Sequence, residues 1–177
     1  MSLRISGGSL KGLVITVPKI QQVRPTSERV REAIFSKIRE HLLESTFLDI
    51  CSGSGIMSLE AISRGASFVS LVEKNRKCLS VIQKNFQKCK VPKEWFQVFI
   101  GDATKIPLPN ADIIFLDPPY AQSYEIWIPV LESKVEKMMI FEHSARIDLP
   151  DQTKSLIKLD QRKYGDTKIT FFVPHHK

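Results

Sequence analysis

The sequence predicts an α/β domain built on a mixed, doubly wound sheet of seven strands, and three observations point that way. From residue 47 onward, short continuous apolar runs alternate with segments of helical periodicity, the pattern of parallel strands covered on both faces. The last two apolar runs instead flank Tyr164-Gly165-Asp166, a hairpin turn, so the sheet closes with an antiparallel pair. A length of 177 residues with 42% hydrophobic side chains suits one domain with an ordinary globular core.

The elements follow in order. Residues 4–6 and 13–17 are expected to pair as short strands around a Gly7-Gly8 turn. Thr26 or Ser27 then caps a helix whose Val30, Ile34, Ile38 and Leu42 recur every four residues on one face. Residues 47–51, 68–73, 96–100, 112–117 and 138–142 read as strands. Residues 56–64, 75–90 and 123–135 read as the helices between them. The second of these is strongly amphipathic, with Leu79, Ile82, Phe86 and Cys89 on one side and lysines and Arg76 elsewhere. Residues 155–163 and 167–173 form the closing hairpin. The expected organisation is therefore a hairpin-helix extension over residues 1–45 and a main domain over residues 46–177.

Charge separates the two parts. The formal net charge is +7, and residues 1–45 carry eight basic side chains against four acidic ones. No acid precedes Glu28, while Arg4, Lys11, Lys19 and Arg24 alternate with Gly, Ser and Pro. Such a segment suits a polyanion, because each phosphate contacted releases condensed counterions; a solvated basic tail is the alternative. No apolar run is long enough to span a membrane, and no apolar stretch follows the charge of the first residues as a secretory leader requires. Cys51, Cys78 and Cys89 form no even framework, so a reducing cytoplasm is expected. No Cys/His grouping has ligand spacing, so no metal is expected, and His41, His143, His175 and His176 read as structural or tail residues.

In a doubly wound sheet, ligands bind outside the carboxyl ends of the strands. The first main strand runs into Asp49-Ile50-Cys51-Ser52-Gly53-Ser54-Gly55 and then a helix, a glycine-containing loop that lets backbone approach a ligand. Ser58 stands where G-x-G-x-x-G has its third glycine, which favours a ligand bearing a carboxylate over a pyrophosphate and counts against a nicotinamide oxidoreductase. Glu73 and Asp102 end the next two strands, where acids accept hydrogen bonds from ribose hydroxyls; each alone would more simply cap a turn. Together they indicate a nucleoside-bearing ligand. The fourth strand delivers Asp117-Pro118-Pro119-Tyr120, a stiff turn presenting the Asp117 carboxylate and the Pro118 carbonyl as acceptors for an amine, with Tyr120 as a face on which a base stacks.

These residues resemble the class I S-adenosylmethionine-dependent methyltransferases that act on exocyclic amines of bases. The likeness narrows on Arg4-Ile5-Ser6-Gly7-Gly8, Lys11-Gly12, the run from Arg24-Pro25-Thr26 to Phe35, Gly53-Ser54-Gly55, Leu59-Glu60-Ala61 and Ser63-Arg64-Gly65-Ala66. With these, the chain resembles the RsmD family of bacterial 16S rRNA guanine-N2 methyltransferases over nearly its whole length. It departs from the family at Cys51-Ser52 and in a short segment after Ala103. The resemblance implies a Rossmann-like fold, S-adenosylmethionine as cofactor and 16S rRNA as partner, in the small subunit or an assembly intermediate, with the protein a monomer. Asp117, Pro118 and Tyr120 are then the catalytic residues. Asp49, Cys51, Ser52, Gly53, Ser54, Gly55, Glu73, Lys74, Asp102, Ala103 and Thr26 would hold the cofactor. Arg4, Lys11, Arg24, Arg29, Arg31 and Tyr120 would meet RNA. The rival readings are an adenine-N6 methyltransferase on DNA or another RNA, and an RNA-binding module without catalysis.

Overall fold

A computed structural model describes residues 2–20, 25–119 and 122–175. Arg24, Tyr120 and His176 lie outside the described residues. The elements are β1 (Ser2–Arg4), β2 (Val14–Thr16), α1 (Glu28–Lys37), α2 (Arg39–Leu42), β3 (Thr46–Ile50), α3 (Ile56–Ser63), β4 (Phe68–Glu73), α4 (Arg76–Lys88), β5 (Phe96–Ile100), β6 (Ala111–Leu116), α5 (Tyr124–Leu131), β7 (Val135–Ser144), β8 (Leu156–Tyr164) and β9 (Thr167–Pro174). The expected mixed seven-stranded sheet is present, in the order β5-β4-β3-β6-β7-β9-β8. The first five strands pair in parallel, and β9 runs antiparallel to both β7 and β8.

Strand alternation divides the core in two, because successive side chains leave a strand on opposite faces. Phe47, Val69, Leu71, Ile113 and Phe115 face one cluster; Leu48, Ile50, Val72, Ile114 and Leu116 face the other. The first cluster is completed by α3 and α4 and also by Ile5, Ile15, Val30, Ile34, Phe35 and Ile38. Residues 1–45 thus share a core with the sheet. Each of these apolar side chains stabilises the union by about 1.5–3 kcal/mol relative to exposure.

Polar contacts reinforce the same seam. Arg31 is wholly buried, with its Nε 3.2 Å from Glu60 Oε1 on α3. Its other nitrogens donate to the Thr26 carbonyl at 2.9 Å and the Arg4 carbonyl at 2.7 Å. Glu60 also accepts from the Ser6 N–H and hydroxyl, each at 2.9 Å, and pairs with Arg64. Gly8 lies against this helix at φ 76°, and a Cβ there would stand 1.8 Å from the Ser63 carbonyl oxygen, so only glycine fits.

α1 begins where expected, with the Ser27 hydroxyl accepting from the Val30 N–H. The expected single helix breaks at Ile38, whose ψ of 6° ends α1 before α2 resumes. The four-residue apolar spacing continues across the break, so the side-chain pattern does not register it. The chain departs from β3 first toward β4 and β5, then returns to β6 and β7 on the other side. The reversal between β3 and β6 opens a crevice beyond their carboxyl ends.

Candidate active site

The loop after β3 turns sharply, with Cys51, Gly53 and Gly55 all at positive φ (62°, 56° and 79°). Such conformations cost a non-glycine residue of order 1 kcal/mol or more, so Cys51 is held there by its surroundings. Ser52 supplies part of the hold: its hydroxyl donates to the Asp49 carbonyl at 2.8 Å and accepts the Val72 N–H at 3.1 Å. Gly55 packs close to Phe86 of α4, where a Cβ would approach to 3.0 Å. Asn85 on α4 donates to the Ser54 carbonyl and exchanges two further hydrogen bonds with the Thr16 backbone, tying loop and β2 together.

Glu73, at the end of β4, accepts the Gly53 N–H on one oxygen and the Lys74 and Asn75 N–H groups on the other, each at 2.9 Å. An ionised carboxylate has about four acceptor positions, which leaves capacity toward the crevice. Asp102, after β5, accepts from the Thr104 hydroxyl and N–H, which hold its carboxyl below the usual range, and Lys74 stands 3.8 Å away. Asp49 is buried under the loop, and its Oδ2 accepts the Ser58 hydroxyl at 2.8 Å and N–H at 3.3 Å. Burial outweighs those bonds and pushes its carboxyl up to about 7.

Asp117 follows β6 directly, its N–H directed at the Ile50 carbonyl across the switch point. Burial raises its carboxyl well above the ordinary range, and Glu142 and Asp49 push it in the same direction. Glu142 enters from β7, whose register pairs Leu116 with Phe141 and so sets Asp117 and Glu142 side by side. The Thr26 hydroxyl donates to Glu142 Oε2 at 2.6 Å.

A cavity of about 1160 Å³ lies over these strand ends. Its floor is Cys51, Gly53, Glu73, Asp102, Ala103, Asp117, Pro118 and Glu142; Arg29, Lys74 and Lys163 are cations on its wall, and Tyr164 and Gly165 come from the β8–β9 turn. It exceeds the roughly 300–1,000 Å³ of ordinary small-molecule sites, leaving space for a cofactor and part of a second molecule. Among the described residues, the buried side-chain polar atoms without a partner are Gln122 Oε1 and Trp127 Nε1, and both residues line the cavity. Gln122 Oε1 is an acceptor and Trp127 Nε1 a donor, so each offers a polar contact to a ligand in the cavity.

Several expected contacts fall elsewhere. Arg31, expected to meet RNA, is instead sealed in the core by Glu60, because it lies among Val30, Ile34 and Phe35 on the inner side of α1. Thr26, expected at the cofactor, is buried and engaged with Glu142. Asp49, Ser52, Ser54 and Gly55 do not line the cavity, while Cys51 and Gly53 do. Arg4 and Lys11 are exposed and do not line the cavity, with Arg4 donating to the Gly12 carbonyl. Sequence reasoning did not single out Glu142, Lys163, Tyr164, Gln122 or Trp127. Glu142 had a legible signal, since it is an acid at the end of an expected parallel strand. Among the described residues there is no group of three His, Cys, Asp or Glu placed to hold a metal, and no helix long and apolar enough to cross a membrane.

Comparison with known proteins agrees with this geometry. A Bacillus subtilis protein described as a candidate rRNA methyltransferase, YlbH, is 26% identical over 96% of this chain and 98% of its own length. The ribosomal RNA small subunit methyltransferase D of Buchnera aphidicola is 33% identical over 73% of this chain and 70% of its own. A solved Escherichia coli structure described as a candidate methyltransferase, yhhF, superposes with a TM-score of 0.87 at 25% identity, covering the whole of both chains. The family model described as Conserved hypothetical protein 95 matches residues 3–173. With its sheet order, its strand-end acids and this match across almost its full length, the chain belongs to that family, the RsmD methyltransferases.

Proposed function

We propose that the chain transfers a methyl group from S-adenosylmethionine to the exocyclic N2 of a guanine in 16S rRNA, acting as a monomer in the cytoplasm on the small subunit or an assembly intermediate. The observation that carries this reading is the Asp117-Pro118 turn, which shares one cavity with Gly53, Glu73 and Asp102. The names of the relatives, rRNA small subunit methyltransferases among them, support the substrate class.

The cofactor supplies an electrophilic methyl on a sulfonium, so the protein's task is alignment and exclusion of water. The Gly53 N–H side of the loop and Cys51 bound the methionine end, Glu73 takes the ribose, and Ala103, Gln122 and Trp127 enclose the adenine, with Asp102 beside it. At the other end Asp117 and the Pro118 carbonyl accept the two amine hydrogens, which turns the nitrogen lone pair toward the methyl. Such hydrogen bonds contribute about 0.5–1.5 kcal/mol each, and about 1.5–3 kcal/mol where the Asp117 carboxyl is ionised. Tyr120 is the expected stacking face. The target base is extruded or already unpaired, because a paired guanine cannot enter a recessed cavity. The hairpin-helix of residues 1–45 faces the RNA, with Arg4, Lys11, Arg24 and Arg29 as its cations.

The test is incubation of the protein with labelled cofactor and either naked 16S rRNA or small subunits lacking the modification, followed by nucleoside analysis. N2-methylguanosine is the expected product; N6-methyladenosine, or label in neither RNA, overturns the reading. Asp117→Ala is expected to lower turnover at least about tenfold while leaving the cofactor Kd within about threefold. Turnover near wild type would remove Asp117 from the reaction.

A further inference from the structure

We propose that Glu142 selects the base, by accepting the ring N1–H of guanine beside the amine held at Asp117. The proposal rests on the function just given and adds a specificity-determining residue to it.

Three features place Glu142 there. It comes from the strand next to that of Asp117, one residue beyond the Leu116–Phe141 pair, so the two carboxylates occupy adjacent strand ends. Both line the same cavity as Pro118. Its orientation is fixed by the Thr26 hydroxyl, 2.6 Å from Oε2, and Thr26 is itself anchored through its carbonyl by Arg31. A buried acid held in this way is rigid enough to read a base edge.

Base chemistry supplies the selectivity. If Asp117 and the Pro118 carbonyl take both hydrogens of an exocyclic amine, a neighbouring carboxylate faces the ring atoms flanking that amine. In guanine one flank of N2 is N1–H, a donor. In adenine the flanking ring nitrogen N1 is an acceptor, and in cytosine the corresponding N3 is an acceptor. In its ionised form a second carboxyl therefore gains a hydrogen bond from guanine alone and sets lone pair against lone pair with the other two. Sites built around a substrate N–H reject analogues lacking it by as much as about 10⁴-fold. The pair also explains why two acids, where one would suffice to bind an amine, crowd the end of β6 and β7.

The test uses 16S rRNA carrying either guanosine or 2-aminopurine riboside at the modified position, once product analysis has located it. Both bases offer the N2 amine, and only guanosine has N1–H. Wild-type protein is expected to favour guanosine by about a hundredfold or more in kcat/KM. Glu142→Gln, whose amide can donate to a bare N1, is expected to bring that ratio down at least about tenfold, with the cofactor Kd unchanged. Thr26→Val should lower the ratio in the same direction by loosening Glu142, and Thr26→Ser should restore it, which a purely structural role would not do. An unchanged ratio in both Glu142→Gln and Thr26→Val overturns the assignment of Glu142 while N2-methylguanosine formation still stands. Absence of N2-methylguanosine from the wild-type reaction overturns the underlying function instead. If Glu142→Gln does not fold, the two Thr26 variants decide.

Discussion

Replacing Arg31 with Met should destabilise the protein more than any surface change on the same helix. Arg31 is fully buried and its three nitrogens reach Glu60 Oε1, the Thr26 carbonyl and the Arg4 carbonyl at 3.2, 2.9 and 2.7 Å. Methionine fills similar volume but donates nothing, leaving the buried Thr26 carbonyl and the part-buried Arg4 carbonyl without that donor and Glu60 with Ser6 and Arg64 alone. Breaking a buried pair from one side costs about 3–5 kcal/mol. At roughly 2–4 °C per kcal/mol for a chain of this size, the melting temperature should fall by about 6–20 °C. Urea denaturation gives the free energy, and an unchanged slope with denaturant would show that the unfolded state is unaffected. Arg29→Met, on the exposed side of α1, is the control and should stay within about 0.5 kcal/mol. A loss below about 1 kcal/mol for Arg31→Met, or equal losses for the two variants, would refute the view that this ion pair locks the N-terminal hairpin and helix to the sheet.

Other outcomes follow from the site. Burial raises the Asp49 carboxyl to about 7 from 3.8, so the unfolded chain releases this proton first as pH rises and the fold is weakened. The Asp49 contribution is therefore fully present below about pH 4 and lost through pH 7, amounting to about 2–3 kcal/mol between pH 5 and 8 at about 1.4 kcal/mol per pH unit. Asp49→Asn should flatten that part of the stability profile, and an unchanged slope in urea titrations would contradict it. Arg29 and Lys163 line the cavity from α1 and β8, and their joint replacement by Ala should weaken RNA binding and reduce the slope of log K against log salt by about 1.4–1.8. Equal slopes for the variant and the wild type would move the phosphate contacts elsewhere.

Most of the sheet was legible because alternation and helical periodicity are carried by side-chain type alone. The strands at Phe68–Glu73 and Phe96–Ile100 match the expected ranges to the residue. Errors arose where side-chain type and backbone path part company. The helix expected to run through residue 135 stops at Leu131, two residues after Pro129, and Val135 instead opens β7. Arg31 is among the residues that the resemblance places against RNA, although its spacing from Ile34, Phe35 and Ile38 already puts it on the apolar stripe. The strand-end rule located Glu73, Asp102 and Asp117, since each closes an apolar run with an acid. Glu142 obeys the same rule at the end of the expected strand 138–142, although in the structure β7 continues to Ser144.

The bond from Thr26 to Glu142 joins residues 116 apart, and Ser6 meets Glu60 across 54. During synthesis the first strands of the sheet can gather around α1 while β7 has yet to be made. The side of the cavity that Glu142 forms therefore closes only after most of the polypeptide has been made, and a truncated translation product ending before residue 142 would lack it.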